Sequence, residues 1–183
     1  GYPLAGHGWL HRCDPPISLY HRVHSLLLSR RVAEHLSLSA SGIDALIRNC
    51  HQWFLDQGLQ PCELYVPPAW AMGAISRAQL ADMPFRLFET LTGVFDARAQ
   101  RMHSLPLAGF EADTPLREWF LRGVNHVNWR RACHTGQPLR LGIHPDDLSL
   151  RLGHRVIPMA EAVSASLTYP DMARGYPAVT ASG

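Results

Sequence analysis

Cys62-Glu63-Leu64-Tyr65-Val66-Pro67-Pro68-Ala69-Trp70 is the stretch whose reading decides the architecture. Its first five residues alternate in the period of a half-buried strand, and the two prolines that follow cannot continue a ladder. The segment reads as a strand that ends in a rigid loop. Upstream, residues 39–58 predict a helix: Ser39 or Ser41 caps it, Ile43, Leu46, Ile47, Cys50, Trp53 and Phe54 share one face, and Gly58 stops it. Downstream, the pattern predicts a short helix over 75–82, a strand over 85–89 and a further strand near 100–103. Asp113 or Thr114, followed by Pro115, opens another helix that Gly136 closes. Its stripe of Leu116, Trp119, Phe120, Val124 and Val127 is expected to pack on a sheet. Residues 138–143 then read as a strand running into His144-Pro145-Asp146-Asp147, and a last helix is expected over about 159–167. Helices alternating with single strands give an α/β class with a mainly parallel sheet, open or closed into a barrel, whose ligands gather at the carboxyl ends of strands.

At 183 residues the chain is expected to form one domain over 1–168, and the Pro, Gly, Ser and Ala of 169–183 predict a poorly ordered tail. A hydrophobic content of 46% with 17% charged residues is that of an ordinary globular protein, and no apolar run reaches the ~18 residues of a membrane span. The net charge of +2 is dispersed, so neither nucleic acid nor an anionic membrane is an expected partner. Cys13, Cys50, Cys62 and Cys133 have no CxxC spacing and are expected as free thiols. The opening residues lack a basic and then apolar leader pattern, and the cytoplasm is the expected compartment.

The chemistry-bearing candidates are few. Gly6-His7-Gly8-Trp9-Leu10-His11-Arg12 sets two imidazoles four residues apart, a spacing that suits two ligands of one divalent ion. The competing reading, two polar loop residues, weighs about equally. His144 stands beside Asp146 and Asp147, one of which could orient it as a general acid, while the other serves as a turn cap. Trp70 reads more readily as a core aromatic in a rigid turn than as a platform for a sugar ring. His21 and His24 fall on the polar side of an amphipathic stretch, and His103, His126, His134 and His154 read as surface residues.

In their order along the chain, Gly6-His7-Gly8-Trp9-Leu10-His11-Arg12, Tyr65-Val66-Pro67-Pro68-Ala69-Trp70 and Leu141-Gly142-Ile143-His144-Pro145-Asp146-Asp147 resemble the polysaccharide deacetylase (NodB-homology) superfamily, over about residues 1–155. The resemblance implies a distorted (β/α) barrel and a divalent metal, usually zinc. His7 and His11 match two of its ligands. Pro67, Pro68 and Trp70 match the proline-rich motif that lines the groove, with Leu141 as a further substrate-binding position. His144 matches the general acid, with Asp147 beside it. The implied reaction is metal-assisted hydrolysis of an N-acetyl group on a sugar or related amide.

The departures are specific. The family's Asp pair, which supplies the catalytic base and the third ligand, belongs before His7, where residues 1–6 hold no Asp. Gly8 replaces the usual Ser, and residues 63–66 lack the arginine that precedes the proline-rich motif. These imply a barrel incomplete at its N-terminus. Two other readings stand beside the deacetylase: a catalytically inactive carbohydrate-binding or assembly module, and a different metallohydrolase in which Asp146 or Asp147 is the third ligand.

Overall fold

Helix α1, Ala40–Asp56, starts where Ser39 is extended and its hydroxyl accepts the Gly42 amide. It ends where Gly58 turns left-handed at φ +67°, with Leu59 and Gly58 amides returning to the Phe54 and Leu55 carbonyls. The computed structural model describes residues 4–10, 33–60, 63–163 and 165–175, and the chain divides into two units, Gly1–His103 and Ser104–Gly183.

In the first unit a four-stranded sheet has the order β1 (Leu64–Tyr65), β2 (Leu87–Thr90), β3 (Gly93–Asp96) and β4 (Arg101–Ser104). β1 runs parallel to β2, pairing Leu64 with Leu87 and Tyr65 with Phe88. β2 and β3 form an antiparallel hairpin that closes at Thr90 and Gly93, so this sheet is mixed. The pattern of residues 93–96 does not predict β3. Ile43, Ile47, Cys50 and Phe54 of α1 pack with Tyr65, Phe85, Phe88 and Phe95 in one apolar cluster. Fully burying each large side chain of this kind contributes roughly 2 kcal/mol. A short α2, Arg77–Leu80, is held by a capping box between Ser76 and Gln79. At the end of β3 the buried Asp96 receives Arg86 at 2.7 Å and the amides of Arg98 and Ala99 at 3.0 Å. Burial opposes ionisation there, but the Arg86 bond and the two amides outweigh it and hold the carboxyl below its ordinary range.

The second unit contains a βαβ arrangement: β5 (Leu107–Gly109), helix α3 (Pro115–Thr135) and β6 (Arg140–Gly142), with β5 and β6 parallel. Thr114 caps α3 and Gly136, at φ +66°, closes it. The face that α3 buries differs from the expected stripe. Leu116, Trp119 and Val127 are 57%, 76% and 62% exposed, whereas Arg117, Leu121, Asn125 and Ala132 are buried. The reason is the edge of β5. Asn125 accepts the Gly109 amide at 3.1 Å and donates to the Gly109 carbonyl at 2.7 Å, while Asn128 donates to the Leu107 carbonyl at 2.8 Å. Two carboxamides thus take up backbone groups that a neighbouring strand would otherwise pair, and they turn the helix accordingly.

Ala108, Phe110, Leu121, Leu152 and Val156 form the core of this unit. The last helix of the core, α4, covers Val156–Glu161 rather than the later span expected. It starts earlier because the turn Gly153–Arg155 leads straight into it. Part of the expected tail is ordered: α5, Tyr169–Ala173, is capped by Thr168 and buries Met172. Residues 176–183 lie outside the described residues. Among the described residues no helix is long and apolar enough to cross a membrane.

Candidate functional site

Gly6 extends the sheet past β1. It forms a parallel bridge with Tyr65, donating to the Leu64 carbonyl at 3.0 Å and accepting the Val66 amide at 2.8 Å. The bridge brings the His7 loop beside the start of Pro67-Pro68-Ala69-Trp70. His7 is exposed, and its Nδ1 lies 2.8 Å from the Val66 carbonyl oxygen. A carbonyl only accepts, so Nδ1 carries the proton and a neutral ring has its lone pair on Nε2.

Gly8 must be glycine. Its φ is +62°, and a Cβ there would meet Pro68 Cγ at 2.5 Å and Glu34 Oε2 at 3.1 Å. Beyond it, the amides of Trp9 and Leu10 donate to Glu34 Oε2 at 3.0 and 3.1 Å. Glu34 is buried in the turn Glu34–Ser37, so the loop is fastened from beneath by a carboxylate. The next residue, His35, is fully buried, with Nδ1 3.3 Å from the Met72 carbonyl and Nε2 2.9 Å from the Tyr65 hydroxyl. Burial pushes the His35 imidazole down to about 4, so it is neutral at pH 7 and accepts the Tyr65 proton at Nε2. Burial also raises the Tyr65 phenol, and the Gly8 amide bonds to that group. The Cys50 thiol is raised by burial and is bonded by the His7 backbone.

The proline loop is strained. Ala69 and Trp70 both have positive φ, +54° and +56°, and two such residues in succession cost about 1–3 kcal/mol each. Pro68 is buried against Gly8 and Trp70 is half-buried. Gly73, at φ +70°, follows so closely on the His35 carbonyl that a Cβ would lie 2.5 Å from its oxygen.

In the second unit His144 follows β6. Its amide donates to Asp147 Oδ2 at 2.9 Å, and its Nδ1 lies 3.7 Å from the same oxygen. Asp147 is fully buried, and its Oδ1 has no hydrogen-bond partner among the described residues. Asp146 is exposed and its carbonyl caps the turn, accepting the Ser149 amide and hydroxyl at 2.9 and 2.7 Å. Leu141 is half-buried on β6 and packs against the core of its unit.

Of the residues singled out in the sequence, His7, Pro67, Pro68 and Trp70 share the edge of the first unit, and His144, Asp147 and Leu141 share the β6 end of the second. His11, like His21 and His24, lies outside the described residues. Among the described residues no group of three or more His, Cys, Asp or Glu side chains is gathered to hold a metal. His7 itself fits a ligand's role: a ring whose Nδ1–H is held by a backbone carbonyl is the usual arrangement of a metal-binding histidine. Cys50 and Cys133 are free thiols. The sequence does not single out Glu34, His35 and Tyr65, because their partners lie 24 or more residues away. Compared with known proteins, the chain matches no family model, no curated protein and no solved structure.

Proposed function

We propose that this chain is a metal-dependent hydrolase of the polysaccharide deacetylase type, built on that family's (β/α) barrel plan and cleaving an N-acetyl group from a sugar or related amide. The observation that carries the reading is the Nδ1 bond of His7 to Val66, made beside the proline-rich loop by the Gly6 bridge. It gives the tautomer that an Nε2 ligand needs, at the motif position where the family resemblance calls for one. His7 and His11 are the residues that would hold the ion, zinc being the usual choice. When bound, such an ion lowers the pKa of water and polarises an amide carbonyl.

Two of the remaining roles are matched by this chain's own residues. His144 matches the family's proton donor to the departing amine, and Asp147 accepts the His144 amide at 2.9 Å, which fixes the backbone that carries the imidazole. Pro68 and the strained turn at Ala69 and Trp70 match the proline-rich motif that lines the family's groove. The test is release of acetate from N-acetylglucosamine oligomers by the zinc-loaded protein. Turnover abolished by His144→Ala supports the reading, and an equal rate in that variant contradicts it.

A further inference from the structure

Beside the His7 loop, on the exposed face of α1, lies a trough of about 540 Å³. Asn49, Gln52, Trp53 and Asp56 line it from the helix, and Trp9 and Glu34 line it from the loop side. The helical positions recur at three- and four-residue spacing and therefore share one face. Further up the same face, Gly42 and Ala45 keep the floor low.

The lining has a definite chemistry. Two large indoles are left in the open, Trp9 53% and Trp53 43% exposed. The backbone that carries Trp9 is anchored, because its own amide and that of Leu10 are fixed on the buried Glu34 carboxylate. The polar groups are two carboxamides and two carboxylates, Glu34 and Asp56: Asn49 is exposed, and Gln52 donates to Asp56 at 2.8 Å, which leaves its carbonyl oxygen as an acceptor. Among the described residues no Lys, Arg or His lines the trough. Apolar ring faces with amide edges suit a ligand that has an apolar face and a hydroxyl-bearing rim, and the Glu34 and Asp56 carboxylates disfavour one that carries negative charge. A pyranose ring is such a ligand.

We propose that this trough is a binding subsite for neutral glycans, in which Trp9 and Trp53 take the apolar faces of sugar rings and Asn49, Gln52 and Asp56 take their hydroxyls. The inference goes beyond hydrolysis and needs neither a metal nor His7, so it can hold or fail independently of the deacetylase reading.

The test is calorimetric titration of the full chain, with chelator present, using the β-1,4-linked tetramer of N-acetylglucosamine. Saturable binding is expected in wild type, weakened about tenfold in Trp9→Ala and in Trp53→Ala, as the loss of one stacked ring predicts. Trp53→Phe should recover most of the affinity, and Trp119→Ala, at an exposed indole elsewhere, should bind as wild type. Thermal unfolding of each variant separates lost binding from lost fold. No saturable binding by wild type overturns the proposal, as does equal affinity in both Trp→Ala variants or tighter binding of a galacturonate tetramer. Self-association of wild type that Trp53→Ala abolishes, without any glycan response, would assign the trough to a second copy and overturn it as well.

Discussion

The Nδ1–H of His7 is held at 2.8 Å by the carbonyl oxygen of Val66, two residues that the sequence separates by 59 positions. The bond depends on Gly6, which pairs with Tyr65 and aligns the two segments in parallel. One bridge therefore connects the histidine motif to the proline-rich motif. Beneath it, Glu34 and the His35–Tyr65 pair fix the loop from the interior.

Replacing Glu34 with Gln should loosen this loop before it unfolds the unit. Hydrogen bonds to a charged acceptor contribute about 1.5–3 kcal/mol, and the variant should lose stability on that order. Hydrogen exchange at the Trp9 and Leu10 amides should accelerate in step. Unchanged protection of those two amides would show that the carboxylate does not hold them.

Gly8→Ala should be worse than its size suggests. The new methyl group meets Pro68, and the backbone at φ +62° is itself unfavourable for a non-glycine residue. A loss of more than about 1 kcal/mol in chemical denaturation is expected. A neutral result would mean that the loop moves freely away from Pro68.

His35 sets an acid limit on stability. Its folded pKa of about 4 lies below the ordinary 6.5, so the unfolded chain binds the proton first. This contribution is fully present above 6.5 and is lost as pH falls from 6.5 towards 4, by roughly 3 kcal/mol in all. His35→Gln keeps an acceptor for Tyr65 and removes the titration. Urea midpoints measured at pH 5 and 7 should differ strongly in wild type and little in the variant. Equal pH slopes would refute the assignment.

On the deacetylase reading, Asp147→Asn should lower turnover by up to about tenfold, because Asp147 holds the backbone amide of His144. His144→Ala should lose more, in the range of about 10²–10⁴. The ordering of the two variants is the observable, and an Asn variant as slow as the His variant would give Asp147 a larger part than orientation.

Much of the helical fold can be read directly from the chain. Ser39 and Gly58 bound α1, and Thr114, Pro115 and Gly136 bound α3, because caps are local and carry their own residue types. The buried face of α3 could not be read in the same way. Asn125 and Asn128 look like solvent residues until the edge of β5 is brought beneath them, and periodicity alone assigns the core to Leu116 and Trp119. β3 is not legible in the sequence, because four residues after a tight turn show too little alternation. At the candidate site, His7 and Pro68 were legible as motifs. Glu34 and His35 were not, since adjacent ionisable residues suggest a surface and only tertiary contacts reveal a buried carboxylate on two amides and a buried imidazole on a phenol.

Zinc binding by equilibrium dialysis, in wild type and in His7→Ala, is the most direct measurement of the central claim. The account predicts stoichiometric zinc with micromolar or tighter affinity in wild type and its loss in the variant. Zinc retained at full stoichiometry after His7→Ala, or a wild type that binds none, would contradict it.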